Sequence, residues 1–178
     1  MNDEILGAPS QEHDKNNNVQ INEQQIQAIA TPRELINSIC CCFNMRKVMR
    51  AVTQYYDKHL EKSGIRTTQL TLLIELSTKN AKTLTEIADN LVMDRTTLTR
   101  NLKPLEKAGY ITTLQPLDKR SKAYALTEKG QQVVNNCLPI WQTAQTKIVS
   151  SFGEEQYHKL LNDINTLIHF TNNHKDRN

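Results

Sequence analysis

From Thr31 onward the chain sets apolar positions at helical spacing, separated by short polar breaks. Thr31-Pro32-Arg33-Glu34 carries the signals of a helix start: a hydroxyl to cap, a proline at the first helical position, and a glutamate to complete a capping box. No proline or glycine follows before Gly64, and Leu35, Ile39, Cys42, Met49, Tyr56 and Leu60 recur near the helical period. The pattern predicts one helix of about 32 residues, about 48 Å long. A helix of that length outruns the core of one small domain, so part of it is expected to pack against a second subunit.

Residues 68–78 predict a shorter helix, apolar at Leu70, Leu73, Ile74 and Leu76. Leu84 to Leu91 predicts another, capped by Thr83 or Thr85, with Ile87, Ala88 and Leu91 on its buried face. A tight turn at Val92-Met93 leads to Asp94, which suits the N-cap of a helix running to about Ala108; Gly109 ends it. Residues 110–114 read as a strand, 115–121 as a turn and 122–126 as the returning strand. Thr127 caps a long helix to about Ser150, with Val133, Val134, Cys137, Leu138, Trp141, Ala144 and Ile148 as its stripe and a bend expected at Pro139. A last helix over about 154–171 carries Tyr157, Leu160, Leu161, Ile164, Leu167 and Ile168. Residues 1–30, rich in Asn, Gln and charge, are expected to be a disordered tail with at most a turn of helix around Ile21, Ile26 and Ile29. The plan is therefore mainly α with a small β-hairpin. Residues 65–126 are expected to form one lobe, residues 31–64 and 127–171 flank it with long apolar helices that need a partner surface, and 172–178 is a polar tail.

Composition narrows the class. The chain has 178 residues, 38% of them hydrophobic, and a mean hydropathy of -0.59. It has no apolar run of membrane-spanning length, and its N-terminus lacks a signal-peptide pattern, so a cytoplasmic protein without a membrane partner is expected. Three of the four cysteines are consecutive, which fits reduced thiols and not a disulfide framework. No CxxC or Cys–His spacing supports a thiol enzyme, and the five histidines are scattered. Three adjacent cysteines on a helix point in different directions, which argues against a metal site. No catalytic residue, metal or cofactor is therefore assigned.

Charge is uneven. Residues 1–31 hold five acids against one lysine, whereas residues 94–122 hold seven cations against three acids. A local basic excess is the electrostatic footprint of phosphate binding. On a helical wheel of 94–108, Leu98, Leu102 and Leu105 share one face and are expected in the core. The opposite face carries Thr96, Arg100, Lys103 and Lys107, with Thr99 beside it and Arg95 and Thr97 at the N-terminal end. Hydroxyls and cations suit phosphates and base edges. At the hairpin tip, Lys119 and Arg120 extend the basic surface; Arg120 is placed to enter a minor groove, and Asp118 to hold that arm. Two short helices joined by a tight turn, then a two-stranded hairpin, follow the order of a winged helix-turn-helix that binds double-stranded DNA. A winged module that binds protein instead is disfavoured by the basic face. Pro104, inside the reading helix, removes the bond to the Arg100 carbonyl and is expected to kink it.

These residues also carry a family resemblance. Asp118-x-Arg120, then Leu126-Thr127 and Gly130, resembles the wing signature of the MarR family of bacterial regulators. Leu84-Thr85-Glu86-Ile87-Ala88, Asp94 to Arg100 and Leu105 to Ile111 resemble the same family's helix-turn-helix. The resemblance covers about residues 35–170. It implies a homodimer whose helical dimerisation region comprises residues 31–64 and 127–171, on a pseudo-palindromic operator, usually a repressor released by a small ligand or by oxidation. Cys42-Phe43, Thr53, Tyr56 and Gln69 are similar to the organic-hydroperoxide-sensing branch, in which a cysteine at the position of Cys42 is oxidised. Arg46 and Thr67 stand where that branch has tyrosines. The resemblance thus leaves two switches open. One is a small phenolic or aromatic effector in a cleft lined by Cys42, Arg46, Tyr56 and Thr67. The other is a thiol switch at Cys42, with Arg46 favouring the thiolate and Cys137 as a resolving thiol.

Overall fold

A computed structural model describes residues 31–78, 80–114 and 122–173. The chain divides into two units, one ending at Lys47 and the other beginning at Val48.

In the first unit, α1 spans Pro32–Ile39. Thr31 caps it as the sequence suggests: its hydroxyl oxygen accepts the Glu34 amide at 3.3 Å and donates to the Glu34 carboxylate at 2.9 Å. The expected single helix does not form. Cys40 adopts extended backbone (φ -75°, ψ 107°) and ends α1, and α2 begins afresh at Cys41–Leu60. Neither proline nor glycine makes this break. The Cys40 Sγ accepts the Phe43 amide at 3.4 Å, as a capping side chain would. The Asn44 amide group donates to the carbonyls of Asn37 (2.9 Å) and Cys40 (3.0 Å), supplying bonds that a continuous helix would make with its own backbone.

In the second unit, α2 runs on to Leu60 and closes through a short 3-10 turn, Glu61–Ser63, at Gly64 in the left-handed region (φ 69°). Then come α3 (Thr67–Glu75), β1 (Lys82–Thr83), α4 (Leu84–Asn90), α5 (Arg95–Lys107), β2 (Ile111–Leu114), β3 (Ala123–Leu126), α6 (Glu128–Phe152) and α7 (Glu154–Asn173). The hairpin gains a third strand: the antiparallel sheet has the order β1-β3-β2, with Lys82 opposite Tyr124 and Ile111 opposite Leu126. Thr83 both ends β1 and caps α4, in a reciprocal box with Glu86.

The main core joins α3, α4, α5, the sheet and the start of α6, through Leu72, Leu73, Leu76, Ile87, Ala88, Leu98, Leu102, Leu105, Ile111, Tyr124 and Val134. In α3 it is Leu72 that turns inward, at 2% exposure, while Ile74 stays 40% exposed. A smaller cluster gathers Leu60, Ile65, Leu70 and Cys137. Glu75 ties the end of α3 to the following elements, accepting Lys82 at 2.6 Å and Asn90 at 2.8 Å. By contrast, no side chain of α7 is buried among the described residues, and Leu160, Leu161 and Ile168 remain more than a third exposed. No helix of the described residues is long and apolar enough to cross a membrane.

Candidate nucleic-acid interface

The turn before α5 sets the direction of its N-terminus. Met93 N–H donates to Ala88 O and Val92 N–H to Asp89 O, the paired bonds of a Schellman ending. Val92 sits in the left-handed region (φ 51°) where glycine is the usual occupant. Asp94 then caps α5: its Oδ1 accepts the Thr97 amide at 2.8 Å. Hydrogen bonds from Thr97, through its hydroxyl and then its amide, hold the Asp94 carboxyl below its ordinary range. At the far end Gly109 (φ 72°) closes a second Schellman ending, with Tyr110 N–H donating to Leu105 O.

Between these ends Leu98, Leu102 and Leu105 are fully buried. This fixes the helix's rotation and turns the polar face outward. Arg95, Thr96, Arg100, Lys103 and Lys107 are exposed; Thr97 and Thr99 are half-buried. Arg95, Thr96, Thr99, Arg100 and Lys103 line one shallow hollow of about 450 Å³. Five of the seven α5 residues named from sequence therefore meet at one surface; Thr97 is engaged in the cap and Lys107 lies outside the hollow. The Thr99 hydroxyl donates to Arg95 O at 2.7 Å, which leaves its oxygen as an acceptor. The ion pairs among the described residues are Lys82–Glu75, His158–Glu154 and Lys159–Asp163, so none neutralises a cation of α5. Pro104 lies inside α5, and the helix runs past it to Lys107. Ala108 N–H still reaches Pro104 O at 3.0 Å, but the Arg100 carbonyl lacks its donor because proline has no N–H. Asp118, Lys119 and Arg120 lie outside the described residues.

The residues nominated for a switch are spread over both units. In the first, Cys41 and Cys42 are exposed, and Cys40 is half-buried. Because the helix restarts at Cys41, Cys42 stands in the first turn of α2, not two turns into a longer helix. Arg46, one turn on, is exposed. In the second unit Cys137 is 1% exposed and packed against Leu60, Ile65 and Leu70, the setting of an apolar core group. Tyr56 is 8% exposed, and its hydroxyl donates to Gln145 Oε1. The Gln145 amide group in turn donates to the Tyr157 hydroxyl at 2.7 Å. Burial first, then the neighbouring Tyr157 and Tyr55, push the Tyr56 phenol above its ordinary value. Thr67 N–H donates to Asp57 Oδ1 at 2.6 Å, while its hydroxyl is buried without a partner.

Two open cavities lie nearby. One, of about 450 Å³, is lined by Asp57, Lys58, Glu61, Gly64, Ile65 and Arg66. The other, of about 440 Å³, is lined by Tyr55, Lys58, His59 and Lys147. Neither counts Tyr56 or Thr67 among its lining residues. Gln145, which joins Tyr56 to Tyr157, is not among the residues nominated from sequence. A polar residue directly after the core position Ala144 is its only signal.

The family model described as the MarR family matches residues 65–122. The M. tuberculosis transcriptional regulator MosR, solved in complex with DNA, is 32% identical with a TM-score of 0.67; the match covers 72% of this chain and 93% of that one. An uncharacterized HTH-type transcriptional regulator of Bacillus cereus is 28% identical over 116 residues, 65% of this chain and 78% of the relative. The HTH-type transcriptional regulator MhqR of Bacillus subtilis is 26% identical over 113 residues, 63% of this chain and 78% of that protein.

Proposed function

The chain belongs to the MarR family of DNA-binding transcriptional regulators, and we propose that it acts as a homodimeric repressor on a pseudo-palindromic operator. The observation that carries the DNA contact is the exposed basic face of α5, on which no cation is paired with a carboxylate among the described residues. In this reading Arg95, Thr96, Thr97, Thr99, Arg100 and Lys103 meet the major groove, and Lys119 and Arg120, steadied by Asp118, meet the minor groove. Support for a dimer comes from apolar side chains left in solvent on the flanking helices. In the first unit these are Ile36, Ile39 and Phe43; in the second they are Val48, Met49, Val52, Leu160, Leu161 and Ile168. A second copy covering them gives a paired helical region, and a symmetric dimer meets two half-sites about one turn of DNA apart.

Binding to duplex DNA is expected to weaken steeply with salt, since each neutralised phosphate adds to the slope. Arg100→Ala is expected to lose affinity without unfolding; unchanged affinity would remove α5 from the interface. Sedimentation equilibrium of the protein alone reads the oligomeric state, and a monomer at micromolar concentration would end the dimer reading.

Release by a small phenolic or aromatic effector is the reading of the switch, with Arg46, Tyr56 and Thr67 nominated to meet it. The feature that supports it is the buried Thr67 hydroxyl, which lacks a partner but lines neither nearby cavity, so a ligand that bonds it must first open the packing around it. Oxidation at Cys42 is the second reading, favoured by the exposure of that thiol in the first turn of α2. Titrating DNA binding with an organic peroxide, with and without Cys42→Ser, separates the two. Peroxide-insensitive wild-type protein would leave the effector reading.

A further inference from the structure

The reading face of α5 is flanked by two hollows. One is the hollow that holds Arg95, Thr99 and Lys103. The other, of about 200 Å³, lies between the first turn of α3 and α5, and its rim is formed by Arg66, Thr68, Gln69, Asn101 and Pro104 over Leu72. Arg100, which also lines the first hollow, falls between the two on the helical wheel. At 3.6 residues per turn, Lys103 and Thr99 fall about 60° and 100° to one side of Arg100, and Pro104 and Asn101 about 40° and 100° to the other.

A helix seated in a major groove about 12 Å wide has a phosphate wall on each side. The first hollow offers cations and hydroxyls to one wall. The second has the same chemistry, drawn mostly from another helix. Arg66 and Thr68 are exposed, and no carboxylate lines this hollow. The backbone there is fixed, because Gln69 Oε1 accepts the Arg66 amide at 3.0 Å. Arg66 also borders the cavity that holds Asp57 and Glu61, yet no ion pair to either forms among the described residues. Asp57 is taken by the Thr67 amide instead.

We propose that this second hollow seats a phosphate of the duplex backbone, with Arg66 supplying the charge and Thr68 a hydroxyl donor. In that arrangement α3 and α5 together grip both walls of the groove, and Arg66 contributes to affinity and register without reading sequence. The proposal rests on the DNA-binding reading of α5.

The test is a salt series of binding to a mixed-sequence duplex a little over two helical turns long. R66A is expected to make the slope of log K against log salt shallower by about 0.9, and R66K to keep the wild-type slope. K147A, a cation on α6, controls for charge loss in general and is expected to leave the slope alone. T68D places a carboxylate in the hollow. Because an acid in the first turn favours the helix, T68D is expected to melt no lower than wild type while binding several-fold more weakly. A slope in R66A equal to wild type, an equal change in K147A, or full affinity in T68D would each overturn the second seat. Failure of the wild-type protein to bind any duplex at low salt would instead sink the reading of α5.

Discussion

The backbone of Gly130 lies against the carbonyl of Tyr110 so closely that a Cβ there would stand 2.0 Å from the carbonyl oxygen. The contact joins the link between α5 and β2 to the first turn of α6. The same carbonyl accepts the Thr127 amide at 3.0 Å, and the Thr127 hydroxyl donates to Gly109 O at 2.7 Å. Thr127 also caps α6 by accepting the Gly130 amide at 3.0 Å. One small knot of backbone thus fixes where the long helix leaves the DNA-binding lobe.

Gly130→Ala is expected to destabilise the protein by about 3 kcal/mol or more, because the clash is with backbone and with the Leu126 side chain, 2.9 Å away. Urea unfolding reads this as a lower midpoint at unchanged slope. An unshifted midpoint would mean that the two elements separate at little cost.

Val92→Gly is expected to act in the opposite direction. A β-branched residue in the left-handed region costs about 1–2 kcal/mol, and Val92, 47% exposed, regains little of that by burial. Part of the gain is offset by the added freedom of glycine in the unfolded chain. A higher melting temperature with unaltered DNA affinity is the outcome that fits a purely conformational effect.

Acid sensitivity is expected from the caps of α4 and α5. The Glu86 carboxyl is held low by the Thr83 amide and hydroxyl, and Asp94 by Thr97. A folded value below the unfolded one means that the contribution is full above the unfolded carboxylate range. It is lost as pH falls through the lower, folded value. Asp94→Asn keeps a capping oxygen but cannot titrate, so its melting temperature is expected to fall less steeply than wild type's as the medium is acidified. Parallel acid limbs for the two proteins would rule out this cap as a contributor.

At the other end of the scale, Tyr56 has a raised phenol pKa, so its contribution is full below the unfolded value and declines as pH rises through the higher folded one. Tyr56→Phe is expected to flatten that alkaline limb and to cost about 1 kcal/mol at neutral pH for one lost hydrogen bond. Gln145→Leu, which strips partners from both Tyr56 and Tyr157, is expected to cost more than Tyr56→Phe. Thermal melts across pH compare the two variants.

Much of α5 is legible in the sequence. Its cap at Asp94, the buried triad Leu98, Leu102 and Leu105, and its end at Gly109 depend on interactions within a few residues, so spacing and residue type suffice. The cap at Thr127 and the two hairpin strands are legible for the same reason. The break at Cys40 is not, because the signals for a helix boundary are proline, glycine and strong caps, and here a cysteine sulfur and the Asn44 amide take their place. β1 is not legible either, because two residues carry no alternation. They become a strand only by pairing with Tyr124 and Ala123, about 40 positions away in the chain.

What the sequence by itself determined is most of the local elements and the polarity of α5: a basic hydroxyl-bearing face opposite three leucines. That followed from helical period and charge, which are properties of neighbours in the chain. The tertiary structure decided which apolar positions are buried, Leu72 and not Ile74, and which polar groups meet, as Tyr56 with Gln145 and Tyr157. It also decided that Arg66 and Thr68 share a hollow with Asn101 and Pro104 of α5. Those choices depend on how separate helices pack, and packing joins residues whose separation along the chain carries no trace of their contact.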